Sequence, residues 1–462
     1  MFQKESLERY LSLCMQSQAD RAELFEEEAV SESISMLSGK TETASRTFRS
    51  GLGIRLYRGF QSVYGYTNLL DEEHVLEVIE SLRDAMGREE KDCRVTLTSV
   101  EYETLHPVRI AFDSVPLSEK TDLLSRADKA AFAYDPHIAK VQSRLLNERQ
   151  HVQISNSEGL LIQDTRVRTR LMVDAFADRD GQTQRGGYYP GAGKGLEFWE
   201  EKLPEEIARE AARIAVTLLD ARDCPSGRMP VVIDNEFGGV IFHEACGHAL
   251  EATSVAKNQS VFAGKMGQQI AATCVSAVDD GTIPGAWGSE NIDDEGHFQQ
   301  KRLLIDHGIL TSYMIDTLNG RRMGMASTGS ARRQSYKFEP TSRMSNTFIC
   351  AGTDSFESLF DGIEKGLYAK KMGGGSVNPM TGEFNFSVSE GYLIENGKIT
   401  CPVKGASLIG SGREILMNID RVSDNLERGQ GMCGSASGSI PTDVGQPAIR
   451  VSSITVGGTA HE

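Results

Sequence analysis

The sequence of 462 residues predicts an α+β protein in two domains. Residues 1–224 form a mixed N-terminal domain of antiparallel strands and helices. Residues 225–462 form a C-terminal domain that combines a mixed β-sheet with a short helix carrying candidate metal ligands. Three observations lead to this expectation. Helical stripes and period-two stretches alternate through the first half; glycine and short strand-like runs dominate after Pro225; and the length exceeds what one core of ordinary size holds.

The elements follow in order. Leu7, Tyr10, Leu11 and Cys14 fall at i, i+3, i+4 and i+7, one stripe of an amphipathic helix over residues 5–16. Residues 53–57 and 61–66 are strand-like and flank a hairpin turn at Arg58, Gly59 and Phe60. Asp71 opens a helix with Val75, Ile79, Leu82 and Met86 on one face and Gly87 as its stop. A second helix over residues 118–134 turns Leu123, Leu124, Ala127, Ala130 and Ala131 inward. Val152 and Ile154 precede a turn at 156–159, after which Val167, Thr169, Leu171, Val173 and Ala175 alternate as a strand should. Residues 179–198 are polar and glycine-rich, which predicts a mobile loop, either a surface connection or a lid near the active site. Pro204, Glu205 and Glu206 start the next helix, because proline suits a first turn and carboxylates suit the positive end of the dipole. At 224–227 the composition changes, and the domain boundary falls there.

A net charge of −16 excludes nucleic acid and anionic membrane surfaces as natural partners. Six basic residues between 321 and 343 run against that trend, but no aromatic platform accompanies them. They read as a solvated loop, or as the source of one arginine, Arg333, that meets a substrate carboxylate or carbonyl. No apolar run reaches membrane-spanning length and the acidic start is unlike a signal peptide, so a cytoplasmic protein is expected. Eight cysteines without a C-x-x-C pair fit reduced thiols. The glycine run at 373–375 lacks the phosphate-loop pattern; it suits close approach of backbones or of a peptide.

The chemistry concentrates at residues 243–248, which read H-E-x-x-x-H. A catalytic zinc ion takes three protein ligands, keeps one position open and needs a carboxylate beside it. His243 and His248 are the candidate ligands and Glu244 the candidate base. On a regular helix, residues five apart diverge by about 140°, too far to share one ion, so the spacing predicts a π-bulge near Gly247. Cys246 and Cys433 are both plausible third ligands, and spacing leaves that choice open. Glu251, one turn beyond His248, is either an acceptor that orients the ring or a solvated helix-end carboxylate. Two other functions use the same residues. One is a metal-dependent amidase or deacylase acting on small molecules; the other is a non-catalytic regulatory subunit with a structural metal, for which Glu244 would have no task.

The 243–251 segment resembles the HExxxH signature of the TldD/PmbA family of metalloproteases. Four further stretches agree in order: residues 332–336 with 343–347; 374–379 with 382–386; 390–399 running into 402–406; and the carboxyl end from Cys433 to Gly458. The resemblance implies zinc held by His243, His248 and Cys433, with Glu244 activating water and Cys246 outside the ligand set. Arg333 and Asn378, which lie inside the matching stretches, are candidates for substrate binding or for supporting the site. The resemblance also implies the catalytic TldD-like type, a homodimer or a heterodimer with a TldE/PmbA-like chain, and unfolded peptides as substrate. After Cys433 the chain departs from many relatives in sequence, which bears on substrate preference.

Overall fold

A computed structural model describes residues 1–89, 91–378 and 381–460. The first half is one sheet, antiparallel except for one short parallel strand, with helices on a single face. Helix α1 (Lys4–Cys14) precedes the long strands β1 (Arg21–Leu37) and β2 (Lys40–Arg58), then β3 (Gln61–Thr67) and helix α2 (Glu72–Met86). Helix α3 (Leu117–Phe132), strands β4 (Ile138–Asn156), β5 (Leu160–Arg179) and β6 (Gln182–Tyr188), and helix α4 (Pro204–Leu219) complete it. The sheet order is β3-β2-β1-β4-β5, with β6 and the short strand Thr98–Val100 both paired to β5.

Side-chain alternation decides which face goes where. Leu24, Ile34 and Met36 of β1 share one face; α1 and α2 cover its first part, α3 and α4 its second. The opposite face carries Phe25, with Val152, Ile154 and Ile162, and packs on Ile292 and Tyr336 of the second half. Glu23 and Glu27 lie on that second face and are 1% and 0% exposed. Each is matched: Glu23 receives Arg333, and Glu27 receives Arg49 and the Tyr336 amide.

The predicted helices are present, and so is the hairpin turn, where Gly59 adopts φ +57°. The loop expected over 179–198 is present only in its second part. Residues 182–188 are a strand paired along β5, turning at Asp180 and Gly181, both left-handed. Its polar side chains mark an exposed edge strand, whose composition matches that of a loop.

The second half holds two further sheets. Strand β7 (Gly227–Ile233) runs parallel to β10 (Lys365–Val377) and antiparallel to β14 (Ile449–Gly457) in an eight-stranded mixed sheet that also contains β11 (Glu383–Glu395). Strands β8 (Ala277–Asp280), β9 (Asn346–Ile349), β12 (Glu427–Ser435) and β13 (Gly438–Gln446) belong to a six-stranded sheet with β12 at its edge. The short helix α5 (Val240–Ala245) packs against strands of both sheets. Gly239 permits this approach, since a Cβ there would lie 2.4 Å from the Gly445 backbone of β13.

Candidate metal centre

Helix α5 carries His243 and Glu244 and stops at Cys246, whose φ and ψ are −128° and −51°. A 3-10 turn over Gly247–Leu250 follows and carries His248. The expected π-bulge is therefore replaced by a break: the chain swings at Cys246 and resumes as a tighter turn, which brings the two imidazole centroids to 5.0 Å. Gly247 serves packing, since a Cβ there would lie 2.2 Å from Met344 Sδ.

Cys433 comes from the edge strand β12, opposite Ile440 and close to the two-residue turn that joins Ser435 to Gly438. Its Sγ lies 3.2 Å from His243 Nε2 and 3.3 Å from His248 Nε2. Around a tetrahedral zinc, nitrogen and sulfur ligands are separated by about 3.5 Å, given Zn–N near ~2.0 Å and Zn–S near ~2.3 Å. Among the described residues these three are the only His, Cys, Asp or Glu side chains whose ligand atoms converge, all within 4.8 Å. Two imidazoles and a thiol form a zinc-type donor set. Cys246 is buried in the hydrophobic core, where desolvation pushes its thiol pKa upward.

The electrostatics favour a cation. Burial works against ionising Cys433, but His243 and His248 outweigh it and hold the thiol at about 3. Burial likewise works against protonating His248, but Glu251 and Cys433 raise that imidazole well above its usual value. A divalent ion would bind to these groups in competition with protons.

Around the three lie the other candidates. Glu244 Oε2 is 3.7 Å from His248 Nε2, and its side chain is 25% exposed, open to water. Glu251 Oε2 is 3.1 Å from His248 Nδ1, and Glu251 is 5% exposed. Arg333 points elsewhere: its guanidinium meets Glu23 and the Asp294 carbonyl and stacks on Phe25, joining the two halves of the chain. Asn378 sits exposed between β10 and β11, where its amide oxygen accepts from the Thr381 amide. The arginine beside Cys433 and Glu251 is Arg343, fully buried. It donates to Ser437 Oγ, the Gly438 carbonyl and the Cys433 carbonyl, and its Nε lies 3.9 Å from Glu251 Oε1. In the sequence this residue belongs to the basic cluster and to the family-like stretch 343–347, neither of which marks it as a neighbour of Cys433.

Three family models match the chain in order: PmbA/TldA metallopeptidase domain 1 over residues 22–86, the central domain over 110–219 and the C-terminal domain over 226–458. The chain belongs to the PmbA/TldD metallopeptidase family. A metalloprotease TldD homolog of Haemophilus influenzae is 37% identical over 453 residues, covering 95% of this chain and 93% of the relative. A metalloprotease of Methanothermobacter thermautotrophicus is 34% identical, covering 92% and 93%. TldE from Thermococcus kodakarensis shares the fold of this PmbA/TldD chain at TM-score 0.77 and 18% identity, covering 98% of this chain and 99% of that one. A Thermotoga maritima protein described as a proposed modulator of a DNA gyrase does so at 0.81 and 22%, with the same coverage. No helix among the described residues is long and apolar enough to cross a membrane.

Proposed function

We propose that this metallopeptidase is a zinc enzyme that hydrolyses peptide bonds of unfolded peptides, with His243, His248 and Cys433 as ligands. The observation that carries it is the convergence of three zinc-type donors from two separate elements beside an unblocked carboxylate. A zinc ion held there supplies Lewis acidity, acidifying water and polarising the scissile carbonyl.

The chain's own residues do the rest. Glu244 takes the proton from the attacking water and returns it to the leaving amine. Glu251 accepts from His248 Nδ1 and so presents Nε2 to the ligand position. Arg343 fixes the β12–β13 turn and with it the height of Cys433. Residues 225–462 hold all of these side chains as one C-terminal unit. A cytoplasmic setting suits cysteines that are all unpaired in the structure, and the TldE fold match supports pairing with a TldE-like chain or with a second copy.

The test is metal content per chain for wild type, Cys433→Ser and Cys246→Ser, followed by digestion of an unfolded protein against small amides. About one zinc per chain, lost only with Cys433→Ser and accompanied by peptide cleavage, is expected. Cleavage of small amides alone would favour an amidase. A zinc that Cys246→Ser also removes would favour a closed structural site.

A further inference from the structure

A cavity of about 440 Å³ opens at the junction of the two halves. Its walls come from β5 and β6 (Arg170, Arg185, Tyr188), the turn that leads into α5 (Glu236, Phe237), β10 (Lys371) and β12 (Gln430). Two of these walls continue directly into the elements that carry the metal-centre side chains. Gln430 is three residues from Cys433 on an extended strand, about 10 Å at ~3.3 Å per residue; their side chains take opposite faces, and Arg170 meets the strand at the Gln430 carbonyl.

Its charges are uneven. Three cationic side chains line it against a single carboxylate, in a chain whose net charge is −16. Lys371 is matched by Glu236, which also receives Tyr188 Oη, and Arg185 is matched by Asp174. Arg170 has no such partner: among the described residues no carboxylate makes an ion pair with it. Its Nε donates to the Tyr189 carbonyl at 3.0 Å and its Nη2 to the Gln430 carbonyl at 2.7 Å. Its guanidinium carbon stands 5.3 Å from the Trp287 ring. The acid that most influences its charge, Asp443, is itself engaged by the Trp287 amide, Gln430 and Arg428. Burial pulls the Arg170 pKa down. Two carbonyls take two of the five N–H donors but do not neutralise a half-buried guanidinium, and both Nη1 donors with one on Nη2 are left for an occupant.

We propose that Arg170 and this cavity form a substrate subsite that binds a carboxylate about three residues from the scissile bond. The proposal rests on the peptidase reading above. An extended peptide advances ~3.3 Å per residue, so a chain reaching from the metal centre along β12 brings its third residue to Arg170. The shared chemistry is the carboxylate, from an aspartate or glutamate side chain or from the peptide's own C-terminus. A guanidinium with free donors recognises that planar group in two-point fashion, which a neutral amide cannot match.

The experiment uses the zinc-loaded full chain and blocked peptides of alanine and serine carrying one glutamate, or one glutamine, moved a position at a time. A parallel set ends in a free carboxylate. Cleavage sites are read by mass spectrometry, and binding by Trp287 fluorescence. Glutamate is expected to exceed glutamine about tenfold in kcat/KM, chiefly through KM, at one position near the third residue from the cut; about tenfold corresponds to ~1.4 kcal/mol. If the free-carboxylate set alone shows the effect, the occupant is the C-terminus. In Arg170→Gln the glutamate-to-glutamine ratio falls to about one, and Arg170→Lys keeps part of it. Cleavage with no carboxylate preference at any position overturns the subsite and leaves the peptidase reading standing. If no peptide is cut the peptidase reading fails, and fluorescence then decides the subsite: carboxylate-dependent binding that Arg170→Gln abolishes upholds it, and its absence overturns it.

Discussion

Replacing Arg343 by methionine tests whether the Cys433 hairpin is held in place for the metal. The side chain is 0% exposed and ties three points of the β12–β13 turn, Ser437 Oγ at 2.8 Å, the Gly438 carbonyl at 3.0 Å and the Cys433 carbonyl. Hydrogen bonds to a charged donor are worth about 1.5–3 kcal/mol each, but the freed carbonyls recover part of this by taking up water. Removing one partner of a buried charged network costs about 3–5 kcal/mol, and that is the expected loss of stability. A looser turn also lets Cys433 drift from the two imidazoles, so zinc affinity should fall about 10–100-fold. Arg343→Lys keeps the charge but not the planar fork and should fall between. Urea unfolding of zinc-free protein measures the first effect, and competition with a chromophoric chelator the second. A methionine variant with wild-type unfolding and wild-type zinc affinity would refute the assignment of Arg343 as a positioning residue.

Three more predictions address single contacts. Glu244→Gln should retain zinc yet lose about 10²–10⁴-fold in peptide hydrolysis, read by metal analysis and steady-state rates on one preparation. Gly247→Ala should destabilise by about 1–3 kcal/mol, because the new methyl meets Met344 Sδ; in a Met344→Ala background, itself destabilised by the truncated core side chain, the same change should cost much less in thermal unfolding. Burial raises the Asp443 carboxyl to about 6, against an unfolded value near ~3.9, so the folded state holds this proton more tightly. That stabilisation is complete below pH ~4 and is lost as pH rises to about 6. Asp443→Asn should therefore gain stability relative to wild type across that window, by up to about 3 kcal/mol, and parallel urea titrations at pH 4 and pH 7 would show it.

The legible parts of this chain were the local ones. Apolar spacing gave α1, α2, α3 and α4 because a helix writes its buried stripe within a few residues of sequence. The β2–β3 hairpin was legible for the same reason. Strand β1 was not: its run of glutamates has low strand propensity, and Glu23 and Glu27 are buried only because partners from β2 and residues 333–336 meet them there. Strand β6 was hidden because an exposed edge strand has the composition of a loop.

The site divides along the same line. By itself the sequence determined that His243, Glu244 and His248 lie together, since six consecutive residues cannot separate far, and that the helix holding them had to be irregular. The form of that irregularity, a break at Cys246 in place of a bulge, appears only in the folded chain, where Met344 packs against Gly247 from outside the helix. Only the tertiary structure separates the two thiols. It packs Cys246 in the core and brings Cys433, 190 residues beyond His243, within hydrogen-bonding distance of both imidazoles. It also decided between two arginines, joining Arg333 to Glu23 and Arg343 to the cysteine turn. Ligand chemistry is a property of residue type and can be read locally. Convergence depends on sheet order and on which face each side chain takes, and those follow only once the strands have paired.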